Sequence, residues 1–266
     1  MHTPLVLSSE ECARYLATAV HAAEAAGAVL LDHARSGFRI DHKAAINLVT
    51  DADRQAEESI VRTILSAHPT HRILAEERGR DGATESPYQW IIDPLDGTTN
   101  FAHGYPCFCV TLALEHDGEI VVGVTFDPTR NELFAAERGC GASLNGKPIR
   151  VSNCEDLGDA LIVTGFPYDI KHRENFARHL TEMLLSSRGV RRDGSAAIDM
   201  AYVACGRFDG FWEEGLNPWD VAAGVLLIEE AGGQLSYYDG RPFSIYTPPI
   251  CASNGLLHSQ MLKILS

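Results

Sequence analysis

Residues Trp90–Asn100 read Trp-Ile-Ile-Asp-Pro-Leu-Asp-Gly-Thr-Thr-Asn. The apolar start predicts a buried strand that carries Asp93 and Asp96 to its end, with a glycine and two threonines, Gly97–Thr99, directly after them. Two carboxylates beside hydroxyls and free backbone N–H groups suit hard cations and phosphate oxygens. Asp-Pro and Asp-Gly are also common turn dipeptides, and an aspartate after a strand often caps a helix. The segment alone therefore leaves a turn and a metal site equally open.

Other acids also stand at the ends of apolar elements. Asp220 follows a proline that predicts a helix start, and Glu76 and Glu77 follow a short apolar segment. Asp51 and Asp53 lie at the start of another predicted helix. Each has an ordinary structural interpretation as a first-turn acid, a solvated turn or a helix cap. Taken together, acids at four such ends favour a shared metal site.

The acidic composition limits the partners that the protein can bind. Its 266 residues include 36 acidic and 22 basic side chains, which gives a formal net charge of −14. Such a surface repels nucleic acid and anionic membranes, so we expect no direct binding to either. A protein of this charge that handles a phosphate needs local positive charge, which bound metal would supply.

Cysteine and histidine usage argues against a disulfide framework and a zinc site. The seven cysteines are an odd number without a Cys-x-x-Cys pair, and the eleven histidines show neither His-x-His nor His-Glu-x-x-His spacing. A lone histidine such as His103, just after the segment Trp90–Asn100, is more often structural than catalytic. The start Met-His-Thr-Pro does not resemble a signal peptide, and no apolar run is long enough for a membrane span. We expect a cytoplasmic protein.

Periodicity and turn residues predict the order of helices and strands. A capping box at Ser8 begins a first helix, a second begins near Thr50 or Asp51, and Asp117-Gly118 predicts a β-hairpin. Further strands are predicted at 73–75, 90–92, 133–136 and 161–164, and further helices from about 175, at 195–205 and at 218–231. This order predicts an α+β fold of layered sheets and helices. We interpret residues 1–266 as a single domain in two closely packed halves that divide near residue 145.

The motifs resemble those of the inositol monophosphatase family, in particular its bacterial members. They occur in family order from about Lys43 to Gly233. The matching segments are Asn47–Asp53, Ala75–Glu77, Asp93–Phe101, Thr164–Tyr168, Arg192–Ala197, Trp219–Gly224 and Glu230–Gly233. The resemblance implies a layered αβαβα sandwich of the inositol monophosphatase and sugar phosphatase type. It also implies a homodimer.

The resemblance implies a magnesium site with two or three ions. Glu76, Asp93 and the backbone carbonyl of Leu95 would hold the first Mg²⁺. Asp93, Asp96 and Asp220 would hold the second, so that Asp93 bridges the two ions. Asp53 matches an acid that binds a third, weaker ion in the family. Oxygen ligands of this kind are those that Mg²⁺ prefers.

The implied reaction is phosphate-ester hydrolysis by a metal-activated water, with inhibition by Li⁺. Thr98 would hold the attacking water, and Glu76 or Asp53 would accept its proton. The second metal would stabilise the leaving alkoxide. The backbone N–H groups of Gly97–Thr99 would receive the phosphate if they begin a helix. No covalent nucleophile is required.

The resemblance also implies contacts to the substrate. Asp96, Gly97 and Thr98 would contact the substrate beside the metals, the backbone of Ala196 a polyol ring, and Glu213 the inositol hydroxyls. Without the family match, Glu213 would be interpreted as a surface acid. Lys43 matches a mobile basic loop of the family, although an ordinary surface lysine fits it nearly as well. The segment 165–168 replaces a serine-bearing segment of the animal members, which makes inositol contacts from this side doubtful.

We therefore predict a Mg²⁺-dependent phosphomonoesterase that acts on inositol monophosphates. Relatives with the same motifs hydrolyse fructose 1,6-bisphosphate, histidinol phosphate, NADP or 3′-phosphoadenosine 5′-phosphate, and the metal site does not distinguish these substrates because it contacts only the phosphate. No basic pocket for a second phosphate is evident in the sequence. The alternative from another class is a regulatory protein that binds the transcription machinery, as some bacterial relatives do.

Overall fold

Two mixed β-sheets account for most of the strands in this computed structural model, which describes residues 8–37, 40–42, 48–82, 85–166 and 173–266. Within these ranges the first half of the chain contains α1 (Ser9–Ser36), β1 (Ile40–His42), β2 (Leu48–Thr50), α2 (Asp51–Ala67), β3 (Arg72–Ala75), β4 (Gly79–Gly82), β5 (Tyr88–Asp96), α3 (Thr98–Ala102), β6 (Cys109–His116), β7 (Glu119–Asp127), β8 (Glu132–Glu137), β9 (Gly141–Leu144) and β10 (Lys147–Pro148). The second half contains a 3₁₀ turn (Leu157–Asp159), β11 (Leu161–Thr164), α4 (Arg173–Ser186), β12 (Gly189–Arg191), α5 (Ala196–Ala204), β13 (Gly210–Glu213), α6 (Pro218–Glu230), β14 (Gln234–Ser236), β15 (Ile250–Ser253) and α7 (His258–Leu265).

The first sheet has eight strands in the order β10-β9-β8-β7-β6-β5-β3-β4. Its pairs are antiparallel except for β3 and β5, which run in parallel. The predicted hairpin joins β6 to β7, and both turn residues, Asp117 and Gly118, have positive φ angles of 50° and 88°. Two successive positive φ angles are those of the type I′ turn that Asp-Gly favours.

The second sheet has five strands in the order β12-β11-β13-β15-β14. Strand β11 lies parallel to both β12 and β13, whereas β15 pairs antiparallel with β13 and β14. The first sheet ends at Pro148 and the second begins at Leu161. The interpretation of a single domain whose halves divide near residue 145 stays a proposal.

Three layers of helices enclose the two sheets. Alternation along β5 shows the arrangement, because Trp90 and Ile92 belong to the cluster that α1 and α2 form on one face, while Ile91 faces α5 and α6 on the other. Helices α5 and α6 also pack against Val163 and Phe211 of the second sheet. Helices α4 and α7 cover the outer face of that sheet. The predicted αβαβα sandwich is confirmed.

Several sequence predictions differ from the structure at element boundaries. The capping box at Ser8 and Glu11 is present, and α2 buries the predicted face of Ala56, Ile60 and Ile64. Strand β5 continues through the proline at 94 to Asp96, beyond its predicted end. Strands β4, β9, β10 and β12–β15 and helices α3 and α7 were not predicted, since most of them are short. Of the helices in the described ranges, none has the length and apolar character of a membrane span.

A column of stacked rings lies at the end of β5 that is remote from Asp93. The Tyr88 ring stacks between His71, with centroids 4.5 Å apart, and His116, at 4.6 Å. The His68 ring also stacks on His71, with centroids 4.8 Å apart. Trp90 Nε1 donates a hydrogen bond of 3.1 Å to His71 Nδ1, which requires an unprotonated Nδ1. Burial, followed by the charges of His68 and His116, lowers the pKa of His71 to about 4.

This burial makes folding sensitive to acid. Between pH 6.5 and 4 the unfolded chain protonates His71 and the folded chain does not, so the free energy of unfolding falls as the pH decreases. We expect His71→Asn, which keeps an acceptor for Trp90, to reduce the change in the free energy of unfolding between pH 6.5 and 4. The reduction is at most about 3 kcal/mol, as a pKa lowered from 6.5 to about 4 implies. Urea unfolding across this range measures it, and His103→Asn at the end of α3 is the control. If the free energy of unfolding depends on pH equally in wild type and in His71→Asn, the buried imidazole of His71 is not neutral.

Candidate active site

A one-residue bulge brings the two aspartates of the opening segment to the same face of the sheet. Asp93 pairs with Thr111 and Asp96 with Cys109, so three steps along β5 match two steps along β6. Pro94 lies in this stretch and has no backbone N–H for the ladder. Residues three apart in a regular strand point to opposite faces, and the extra residue restores the same face. Both carboxylates therefore line one cavity.

A glycine directs the chain from the strand into the short helix α3. Gly97 has a φ of 95°, and a Cβ there would lie 2.9 Å from the carbonyl oxygen of Cys107. Both the backbone conformation and the space therefore require glycine. The helix begins at Thr98, whose Oγ1 lies 3.0 Å from the Leu95 carbonyl oxygen and 3.3 Å from Asp53 Oδ1. The hydroxyl thus connects β5 to α2.

The first turn of α5 holds Asp96. Oδ2 of Asp96 accepts hydrogen bonds from Ser195 Oγ at 2.5 Å and from the backbone N–H of Ala197 at 2.8 Å. Ser195 is also the N-cap of α5, since its side chain accepts from the N–H of Ile198. The start of this helix is therefore tied to the end of β5, although 99 positions separate Ser195 from Asp96.

The first turn of α6 brings Asp220 to the same cavity. Its Oδ2 accepts hydrogen bonds from Asn217 N at 2.7 Å and Asn217 Nδ2 at 3.3 Å, which forms a capping box at a helix that starts with Pro218. The two interpretations of Asp220 are therefore compatible, since it caps the helix and lines the cavity. The described side-chain hydrogen bonds of Asp220 both engage Oδ2.

One cavity of about 180 Å³ brings together the predicted site residues except Asp53. Those that line it are Glu76, Asp93, Leu95, Asp96, Gly97, Thr98, Ala196, Glu213 and Asp220. Asp53 is fully buried in the first turn of α2, next to Thr98. His103 ends α3, and its Nδ1 lies 2.8 Å from the carbonyl oxygen of Thr99. Lys43 lies outside the described residues.

The carboxylates in this cavity repel one another. Burial raises the pKa of Asp93 well above its ordinary value, and the charges of Glu76, Asp96 and Asp220 raise it further. Burial also raises the pKa of Asp96, against the opposing effect of its hydrogen bonds from α5, and the pKa of Asp220. Such crowding of acids in a low-dielectric site requires positive charge or protons.

The donor atoms at the cavity fit Mg²⁺. Asp93, Asp96, Asp220 and Glu76 offer carboxylate oxygens, and the carbonyl of Leu95 lies on the cavity wall. These are hard oxygen ligands, and Asp93 keeps one oxygen beyond the Oδ1 that accepts from Leu95 N. Across the residues that the structure describes, no three His, Cys, Asp or Glu side chains already surround one point as a metal cluster.

Sequence reasoning missed several residues of the cavity wall. Asp199 of α5 is 1% exposed, and its Oδ1 has no hydrogen-bond partner among the described residues. Burial raises its pKa well above the ordinary value. At the cavity mouth the guanidinium of Arg192 stacks over the Phe166 ring, 4.9 Å from its centroid. Arg192 and Ser195 lie in a segment already matched to the family, so their roles could have been sought there, whereas Asp199 gave no signal.

Comparison with known proteins gives the family. The profile described as the inositol monophosphatase family matches residues 12–266. The chain belongs to the inositol monophosphatase family. It is 46% identical to an inositol-1-monophosphatase from Synechocystis sp., over 98% of this chain and 92% of that protein. It is also 42% identical to a putative Nus factor SuhB from Neisseria meningitidis serogroup B, over 95% of this chain and 98% of that protein.

Solved structures of family members share the fold over nearly the full length. An extragenic suppressor protein suhB from Bartonella henselae superposes with a TM-score of 0.92 at 38% identity, covering 95% of this chain and 98% of that one. An inositol monophosphatase from Anabaena gives a TM-score of 0.87 at 44% identity, covering 96% of each chain. As a member of the inositol monophosphatase family, the protein is a phosphatase enzyme.

Repulsion at the centre of this inositol monophosphatase site predicts the effect of Asp93→Asn. Asparagine keeps an acceptor for Leu95 N and removes the charge, so we expect the free energy of unfolding at pH 7 in EDTA to rise by about 1–3 kcal/mol. We also expect Mg²⁺ to stop raising the melting temperature. Denaturation with EDTA and with Mg²⁺ measures both effects, and Asp32→Asn on the exposed face of α1 is the control. If Mg²⁺ raises the melting temperature of Asp93→Asn as much as that of wild type, Asp93 is not a metal ligand.

Proposed function

We propose that the protein is a Mg²⁺-dependent phosphomonoesterase that hydrolyses inositol monophosphates to inositol and phosphate. The observation that carries this proposal is the set of acids on one cavity wall, beside the Thr98 hydroxyl and the Leu95 carbonyl. The cavity opens at a mouth where Phe166 and Arg192 meet. Family membership and the relatives named inositol-1-monophosphatase support the same activity.

The family resemblance and the acids that line the cavity support an assignment of the metal ligands. We propose that Glu76, Asp93 and the Leu95 carbonyl hold one Mg²⁺, and that Asp93, Asp96 and Asp220 hold a second. When bound, such a pair lowers the pKa of a water and stabilises the leaving oxygen. A third, weaker ion would bind beside Asp53, as the family resemblance implies.

We propose that Thr98 and its neighbours orient the attacking water. The single hydroxyl proton of Thr98 has two acceptors, Leu95 O and Asp53 Oδ1, so its lone pairs remain for a water. Glu76 on the cavity wall, or Asp53 behind the hydroxyl, would accept the proton from that water. The N–H groups of Gly97–Thr99, at the start of α3, would contact the phosphate.

The far side of the cavity would bind the polyol. Glu213 at the end of β13 is 9% exposed, and burial, followed by the charge of Asp220, raises its pKa to about 8. A buried carboxyl without an ion pair among the described contacts suits hydrogen bonding to hydroxyls. Ala196, at the first position of α5, lines the same cavity.

Other phosphomonoesters remain candidate substrates, because the acids contact only the phosphate. Fructose 1,6-bisphosphate, histidinol phosphate and NADP form the comparison set. A second candidate function is regulation through the transcription machinery, which the relatives named Nus factor SuhB favour. We further propose a homodimer with no direct nucleic-acid contact. Seven free cysteines support a reducing cytoplasmic location.

A substrate panel tests the proposed function. We expect phosphate release from inositol 1-phosphate in the presence of Mg²⁺, loss of that activity in EDTA and inhibition by Li⁺, with lower kcat/KM for the comparison set. Equal activity in EDTA would exclude the metal mechanism, and a higher kcat/KM for another ester would reassign the substrate. A regulatory function would survive in Asp220→Asn, whereas a purely enzymatic one would not.

The Thr98 hydroxyl provides a second test. We expect Thr98→Val to lower kcat roughly 100-fold, because the water loses a fixed partner, with little change in melting temperature. Thr98→Ser restores the hydroxyl and is the matched control, for which we expect most of the activity to return. Steady-state kinetics on inositol 1-phosphate measure both variants. Normal kcat in Thr98→Val would show that the hydroxyl has no part in the reaction.

A further inference from the structure

Gly165 is a glycine for reasons of space. It follows β11 directly and lines the candidate active-site cavity. Its backbone lies outside the left-handed region, so a residue with a side chain could adopt its conformation. The reason for glycine must therefore be sought in what surrounds the missing Cβ.

The carboxyl group of Glu213 fills the place of a side chain at residue 165. A Cβ on Gly165 would lie 2.0 Å from Glu213 Oε1, 2.2 Å from its Cδ and 2.3 Å from its Oε2. All three distances are far below van der Waals contact. Glu213 is nevertheless the flexible member of the pair, since the atoms involved are the end of its side chain.

The strand register fixes the two backbones beside each other. Strands β11 and β13 are parallel, with Thr164 opposite Trp212. The residues that come next are Gly165, just after β11, and Glu213, at the end of β13. Thr164 Oγ1 donates a hydrogen bond of 2.6 Å to the carbonyl oxygen of Trp212 and ties the strands just before this point. A side chain at 165 would therefore displace the Glu213 carboxyl rather than separate the strands.

We propose that Gly165 determines substrate specificity by leaving the space in which the Glu213 carboxyl meets the leaving group of the substrate. The proposal rests on the proposed function, in which Glu213 binds the hydroxyls of a polyol. Gly165 acts through Glu213 and is a positioning residue. The acids that hold the phosphate end, Asp93 and Asp96, stand on the other sheet, so the effect falls on recognition of the leaving group.

The test compares two phosphomonoesters that differ in their leaving groups. Inositol 1-phosphate presents hydroxyls to Glu213, and phenyl phosphate presents none. We expect Gly165→Ala to lower the ratio of their kcat/KM values about 10-fold, mainly through KM for inositol 1-phosphate, because hydrogen bonds to hydroxyls are lost. An unchanged ratio would overturn the proposal.

Gly189→Ala is the matched control. Gly189 begins β12 next to β11, and its backbone is also outside the left-handed region. A Cβ there would meet only Arg191 Nη1 at 3.5 Å and Leu161 Cδ1 at 3.8 Å, which are ordinary contacts. We expect this variant to keep the wild-type ratio. If it lowers the ratio as much as Gly165→Ala does, a general loosening of the sheet is the cause and the proposal is wrong.

A double-mutant cycle separates displacement of Glu213 from other effects at residue 165. We expect Glu213→Ala to lower the ratio by itself, and Gly165→Ala/Glu213→Ala to have the same ratio as Glu213→Ala, since no carboxyl remains to be displaced. Additive losses would overturn the proposal. The Mg²⁺-dependent rise in melting temperature verifies that each variant is folded with its phosphate end intact.

Failure of the proposed function gives a different pattern. If wild type prefers another ester from the comparison set, inositol 1-phosphate is replaced by that ester in the same cycle. Non-additivity between residues 165 and 213 would then support the role of Gly165 with a new substrate. Additivity with every preferred ester would overturn it whatever the substrate is.

Discussion

The crowding of acids in one cavity is the constraint on which the rest of the site depends. Asp93 is buried and Asp96 and Asp220 are half-buried, and the charges of Asp96 and Asp220 raise the pKa of Asp93. The protein holds them in place through backbone N–H groups and helix starts, with hydrogen bonds from the Leu95 N–H, from α5 and from Asn217. These bonds lower the cost of the charges without cancelling it, so the site favours either protons or a bound cation.

The layered fold serves this site by bringing distant segments to one place. The first sheet supplies Asp93 and Asp96 at a bulge, the middle helices supply the first turns that face them, and the second sheet supplies Glu213 from the opposite side. In the proposed function, phosphate and leaving group would meet different layers of the sandwich. Residues that bind the leaving group could then vary without disturbing those that bind the phosphate.

The sequence predicted those parts of the structure that depend on local interactions. The capping box of α1, the apolar face of α2 and the turn at Asp117-Gly118 all rest on neighbours within a few residues. Strand β13 was missed because its four residues are buried on both faces and show no alternation. The bulge after Asp93 was also missed, since register is a property of two strands.

Local sequence patterns also predicted part of the candidate site. The spacing of Asp93 and Asp96 left a turn and a metal site equally open, and acids at the ends of other elements favoured a shared metal site. The family resemblance then assigned Asp220, more than a hundred residues away, to one of the metals. Asp199 and Gly165 were not predicted to matter. One is a buried acid whose surroundings come from the tertiary fold, and the other is defined by a side chain on a neighbouring strand.

Asp220 combines a structural role with its proposed role as a metal ligand. Its Oδ2 completes the capping box of α6, so the aspartate contributes to the start of a helix that packs between the two sheets. A lineage that lost the phosphatase reaction would still be selected to keep this aspartate for its helix. An intact Asp220 is therefore a weak sign of activity in relatives with other roles. Asp93, whose one described side-chain hydrogen bond is to Leu95 N, is the better marker, because its burial would bring little benefit without the proposed metal.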